Sequence, residues 1–221
     1  MKYYQELQEG LYDPNIFKAF FLAGGPGSGK SYVVRRTTGG TGLKIVNSDP
    51  AFESLLKKAG LSLKMPPEEF ERKEKVRAHA KKITAKRLKK NYLEGRLGLI
   101  IDGTGKDADR IINQKASLEE LGYDTYMIFV NTSLDVALKR NEERPRSLQK
   151  QIVITAWKDV QSNIGVFSNI FRQGFIVVDN NDADEDAFQI VWKRVQGLLR
   201  KKVTNTRATN WMAMELAKRK R

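Results

Sequence analysis

The sequence contains no cysteine, one histidine and no long apolar run. Without cysteine there is no disulfide framework and no thiolate metal site, and His79 alone offers no pair for an imidazole metal site. Ser–His–Asp chemistry would have to use His79, which sits in the lysine-rich stretch KVRAHAKK and reads as a helix-surface or helix-packing residue. No stretch approaches the roughly 20 apolar residues of a membrane span. The opening MKYYQELQEGLYDP lacks the basic-then-apolar layout of a signal peptide, so a cytoplasmic location without a membrane partner is expected. Internal repeats and low-complexity segments are also lacking.

What is present is enough to build a core: 221 residues, 40% of them hydrophobic, suit one α/β domain or a domain with a modest appendage. The formal net charge is +14, from 40 Lys and Arg against 26 Asp and Glu, which favours phosphate-bearing partners. Apolar runs at 18–23, 43–47, 97–102, 124–130 and 174–179 read as strands. Helices are expected at about 29–37, 50–60, 67–95, 108–121, 133–143, 150–165, 185–201 and 208–219. TTGGTG at 37–42 and EELGYD at 119–124 mark returns from helix to strand. Strands that are apolar throughout, alternating with helices, predict an α/β sandwich with a mostly parallel five-stranded sheet covered on both faces.

The first strand runs into GGPGSGKSY, in which Gly24, four residues, Gly29, Lys30 and Ser31 reproduce the spacing of a phosphate-binding loop between a strand and a helix. Gly24, Gly25, Gly27 and Gly29 let successive N–H groups turn towards an anion, and the following helix adds the positive end of its dipole. The expected nucleotide-binding segment is Gly25, Gly27, Ser28, Gly29, Lys30, Ser31 and Tyr32, with Lys30 on the β- and γ-phosphates of ATP or GTP. The Ser31 hydroxyl is the expected Mg²⁺ ligand.

Later motifs favour a kinase over a switch protein or motor. The second strand ends in VNSDPAFESLL, so Asp49 reaches the carboxyl edge of the sheet, where it either accepts a proton from an attacking hydroxyl or caps a helix that opens with Pro50. The third ends in LIIDGTG, where Asp102 either contacts Mg²⁺ through water or bonds the adjacent loop, with Thr104 beside it. In VALKRNEERPRSL, Arg140 and Arg144 share a helix face and Pro145 leaves Arg146 on a loop. These arginines are either phosphate-covering groups or solvated helix charge.

GGPGSGKS, the acid after strand two, IIDGTG and LKRNEERPR together resemble the P-loop kinases grouped with zeta toxins and with the kinase domain of phage polynucleotide kinases, over about residues 16–180. The resemblance implies a sheet ordered 2-3-1-4-5, Asp49 as acceptor-side base, and Arg140, Arg144 and Arg146 as lid residues.

Two basic stretches remain. Residues 72–96 hold eleven Lys or Arg against Glu74 and Glu94, a net +9, and residues 200–221 hold eight against Glu215, a net +7. The first is either a solvated face or a surface for nucleic acid. The tail, with Trp211, Met212, Met214 and Leu216, is either a docking helix or a nucleic-acid grip with a stacking residue. The expected organisation is a kinase domain over 1–202, with a basic acceptor-side insertion at about 66–96 and a lid at about 140–150, followed by a basic helical tail at 203–221. The acceptor is expected to be a polynucleotide or nucleotide hydroxyl. The alternatives are a nucleotide-sugar or other small molecule, and a non-catalytic, nucleotide-responsive nucleic-acid binder.

Overall fold

The computed structural model describes residues 10–62, 67–144, 147–182 and 185–219. Five parallel strands, β1 (Lys18–Ala23), β2 (Lys44–Val46), β3 (Leu99–Asp102), β4 (Asp124–Asn131) and β5 (Phe175–Asp179), form one sheet in the order β2-β3-β1-β4-β5. This is the expected order. Along β1, Ala19, Phe21 and Ala23 join one core layer while Phe20 and Leu22 join the other, so every residue of the central strand is buried. That two-sided burial explains its unbroken apolar run. The edges are covered less completely: Ile45 of β2 and Val177 of β5 are exposed.

The helices are α1 (Lys30–Thr38), α2 (Asp49–Lys58), α3 (Phe70–Arg87), α4 (Ala108–Glu120), α5 (Leu134–Glu142), α6 (Lys150–Ser162), α7 (Ile164–Phe171), α8 (Glu185–Leu199) and α9 (Thr206–Arg219). Two expectations need correction. The single helix read over 67–95 is a 3₁₀ turn at Pro67–Glu69, then α3, then a π-helical turn at Leu88–Leu93. The helix read over 150–165 breaks at Asn163 and resumes as α7. The Asn163 amide donates to Gly105 O at 3.0 Å and Lys106 O at 3.1 Å, holding the chain at the break.

At the amino edge of the sheet, Lys18 and Asp124 lie opposite each other in the β1–β4 ladder, and their side chains pair at 2.6 Å. Helix α9 closes the same edge. Trp211 packs edge-on against Phe17 at 5.5 Å, Arg207 donates to Glu120 O at 2.9 Å, and Ala208 is buried against Gly122. Of the two readings of the tail, docking is what this geometry displays, and Trp211 is half-buried rather than free to stack on a base.

Helices α2 and α3 stand apart from both layers. They share a small cluster of their own, Phe52, Leu56, Leu61 and Ala80, with Val76 packed against it. Arg77 adds a cation–π contact over Phe52 at 4.4 Å.

Candidate active site

The phosphate-binding loop stands at the carboxyl end of β1, where strand hydrogen bonding stops and the N–H groups of the chain need other partners. Gly24, Gly27 and Gly29 have φ of +151°, +78° and +80°, which disfavour residues bearing a Cβ. At Gly27 a Cβ would also stand 2.1 Å from Ala137 O of α5, and at Gly29 it would stand 2.4 Å from Asn180 Nδ2. The loop is therefore clasped from behind by neighbouring elements. Gly24 N donates to Thr104 O at 2.9 Å, Asn180 Nδ2 to Ser28 O at 2.7 Å, and Trp157 of α6 lies against Gly25.

Ser28 is buried, and its Oγ has no hydrogen-bond partner among the described residues. Lys30 Nζ donates to Gly24 O at 2.5 Å and Gly25 O at 3.1 Å, so the ammonium turns into the mouth of the loop. Burial lowers its pKa from 10.5 to about 8; Asp102 pulls the value back up, Arg144 pushes it down and Asp49 pulls it up. These influences bring the acids after β2 and β3, and one cation from the end of α5, to the same ammonium. An orphaned buried hydroxyl and a cation held below its ordinary pKa fit an anionic phosphate chain.

Burial raises Asp102, Lys30 lowers it and Asp49 raises it again. Its Oδ2 accepts from Asn47 Nδ2 at 2.6 Å, while Asn47 Oδ1 accepts from Asp49 N at 2.7 Å. One amide side chain thus ties the end of β3 to the start of α2. Asp49 is the first residue of α2 and is exposed; the N-cap is Ser48, without a side-chain cap bond, so the expected capping role is not what the fold displays, and Asp49 is an acid in the first turn. No cluster of three or more His, Cys, Asp or Glu able to hold a metal exists among the described residues. The Ser31 hydroxyl and the Asp102 carboxylate nevertheless suit Mg²⁺, which keeps several waters and takes nucleotide phosphate oxygens as further ligands.

The remaining expected residues divide. Arg140 donates to Asn180 O at 2.7 Å and Asn181 O at 2.9 Å, so it clamps the loop after β5 beside the cradle rather than standing on an open lid. Arg144 is exposed, close enough to affect Lys30. Arg146 lies outside the described residues. Tyr32 turns its ring to Phe188 of α8 at 5.4 Å, and its N–H donates to Gly29 O, so neither faces the cradle. Asn47, Asn180 and Trp157 were missed by sequence reasoning: a lone Asn or Trp has no spacing to betray it, and only Asn47 and Asn180 carry the one available signal, placement at a strand end, while Trp157 lies within α6. A cavity of about 540 Å³ opens elsewhere, between the π turn and α4, and includes none of the cradle residues.

A family model described as an AAA domain matches residues 20–166, from β1 through the start of α7. The chain belongs to the AAA domain family. No curated protein sequence matches it. Among solved structures, this AAA domain is similar to a gluconokinase from Sinorhizobium meliloti 1021, at 13% identity and a TM-score of 0.53, over 84% of this chain and 95% of that one. It is also similar to a protein of Chloroflexus aurantiacus J-10-fl described provisionally as a kinase, at 17% identity and a TM-score of 0.52, over 82% of this chain and 98% of that one. At these identities the likeness is one of fold, and the fold is that of small P-loop kinases. No helix among the described residues of the AAA domain is long and apolar enough to cross a membrane.

Proposed function

We propose that the protein is a magnesium-dependent phosphotransferase that moves the γ-phosphoryl group of ATP, or of a related triphosphate, to a hydroxyl acceptor. The observation that carries this reading is the convergence of Asp102, Asp49 and Arg144 on the charge of Lys30 inside the glycine cradle. A nucleotide-binding switch needs the cradle, but not a second, exposed carboxylate on the acceptor side. The cradle N–H groups, Lys30 and Ser28 bind the phosphate chain. Ser31 and Asp102 would hold Mg²⁺, which would supply charge neutralisation to the phosphate chain. Asp49 takes the proton of the acceptor hydroxyl as its oxygen bonds to the γ-phosphorus. The bridging P–O bond breaks, and its electron pair leaves with the nucleoside diphosphate. Arg144, with Arg146, neutralises charge on the transferring group, while Arg140 fixes the wall against which the nucleotide lies.

The net charge of +14 favours a nucleotide or polynucleotide hydroxyl as acceptor, in keeping with the phage polynucleotide kinase side of the resemblance, whereas its zeta-toxin side points to a nucleotide-sugar. The test is Asp49→Asn. Titration calorimetry is expected to give unchanged Mg·ATP affinity, while transfer of labelled phosphate falls at least about 100-fold, in the range of a lost general base. Offering 5′-hydroxyl oligonucleotides, nucleosides and uridine-sugars side by side identifies the acceptor. Labelling of a uridine-sugar alone would overturn the nucleotide reading, and unchanged transfer by Asp49→Asn would overturn the role of Asp49.

A further inference from the structure

The proposed chemistry leaves the basic helix unexplained. Outside 72–96 and 200–221 the chain holds 21 Lys and Arg against 23 Asp and Glu, so the positive charge of the protein belongs to those two stretches. In the first, the fold sorts the cations into two sets. Lys73 is buried against Glu69 at 3.1 Å, and Arg77 is spent on Phe52 and Glu74, so both hold the arm together. Lys81, Lys82, Lys86, Arg87, Lys89 and Lys90 are exposed and form no ion pair among the described residues, and residues 81–93 include no acid.

Their placement is regular. Val76, Ala80, Thr84 and Leu88 recur every four residues on the less exposed side of the helix, with Ala80 fully buried. Lys82, Lys86, Lys89 and Lys90, three and four residues apart, fall on the opposite side. Like charges at that spacing repel and work against the helix. Such a row gains from a ligand with many evenly spaced negative charges.

We infer that the outer face of α3 and its π turn binds the phosphate backbone of double-stranded nucleic acid without reading its sequence. The other polyanions fit less well. A membrane-surface helix needs an apolar face to insert, and along 81–90 Ile83, 42% exposed, is the one large apolar side chain turned to solvent. An acidic protein partner would be anchored by buried aromatic or apolar residues at the centre of its contact, and this face has none. Single strands are held by stacking on aromatic rings, whereas Tyr92 packs into the main core and Trp211 against Phe17. What remains is contact with phosphates alone. This inference concerns binding, and it stands whether or not a nucleic acid is also the phosphate acceptor.

The test measures binding of a fluorescent mixed-sequence DNA duplex to the full chain without ATP, from 50 to 200 mM salt. With about six phosphates neutralised, the slope of log K against log salt is expected near −5, a loss of about 1,000-fold across that range. Replacing Lys82, Lys86, Lys89 and Lys90 together with Gln is expected to flatten the slope by about 3 to 4, and replacing the same four with Arg is expected to preserve it. Melting temperature and Mg·ATP affinity of each variant report that the fold is retained. Replacing Arg200, Lys201 and Lys202 with Gln controls for net charge and is expected to leave the slope nearly unchanged. An unaltered slope in the α3 Gln variant, an equal loss in the control, absence of duplex binding, or binding only to single strands or phosphatidylserine vesicles would each overturn the inference. Because no phosphate is transferred, failure here is distinct from failure of the kinase reading.

Discussion

The phosphate cradle follows β1 and the α2–α3 arm follows β2 of the same sheet, yet they are held in opposite ways. The cradle is fixed by its backbone: left-handed glycines, neighbouring atoms within reach of any added Cβ, and two bonds to other segments, Gly24 N to Thr104 O and Asn180 Nδ2 to Ser28 O. The arm rests on four buried apolar residues, apart from both main core layers, and carries an outer row of like charge along α3. A site that must present N–H groups to phosphates within tenths of an ångström requires the first construction. A surface that meets a long polyanion tolerates the second, since no single contact dominates.

The largest way to break this contrast is Gly27→Ala. The strain of a positive φ and the collision with Ala137 O are expected to cost at least about 3 kcal/mol. Mg·ATP binding by calorimetry should then fall more than about 100-fold, with the arm unaffected. The reverse experiment is Leu56→Ala. Loss of a fully buried side chain from so small a cluster is expected to lower the opening free energy of α2 and α3 by about 3 kcal/mol, read by amide hydrogen exchange. Mg·ATP affinity should stay as it was; a matching loss would mean that arm and cradle form a single unit.

A smaller effect comes from pH. The pKa of Lys30 is lowered in the fold, so its burial penalty is present in full below about pH 8 and disappears as pH rises towards 10.5, the unfolded value. Bound phosphates act in the other direction by holding the proton on. Affinity for Mg·ATP is therefore expected to be greatest below about pH 8 and to decline by up to about tenfold per unit above it. Titrations at pH 9 in buffers of different ionisation heat should register proton uptake, and Lys30→Met should abolish it.

The same contrast governed what the sequence disclosed. Gly24, Gly27, Gly29, Lys30 and Ser31 were legible because the chemistry of phosphate binding dictates the residue at each position. Strand order came from the resemblance to P-loop kinases that the motifs at strand ends carry. The supports did not show: Asn47 bridging Asp102 and Asp49, Asn180 holding Ser28 O, and Asn163 parting α6 from α7 are single amides whose partners lie 55, 152 and 58 residues away. Nor did the motif around Arg140 disclose that its guanidinium would be occupied by backbone carbonyls of Asn180 and Asn181. Charge in the arm was plain in the sequence, but its division into buried struts and an outer row depends on the packing of α3 on α2.

The pairing of Lys18 with Asp124 also acts as a ruler. Strand register in a parallel sheet can slip, and a slip of one residue exchanges the two faces of every side chain. Here a slipped β1 would bring Lys18, 1% exposed, away from its carboxylate and leave a charge stranded in the interior. Six residues further on, Gly24 must meet Thr104 O for the loop to form. Alignment checked at one end of the strand is thus delivered as atomic position at the other, roughly 20 Å away at 3.3 Å per residue.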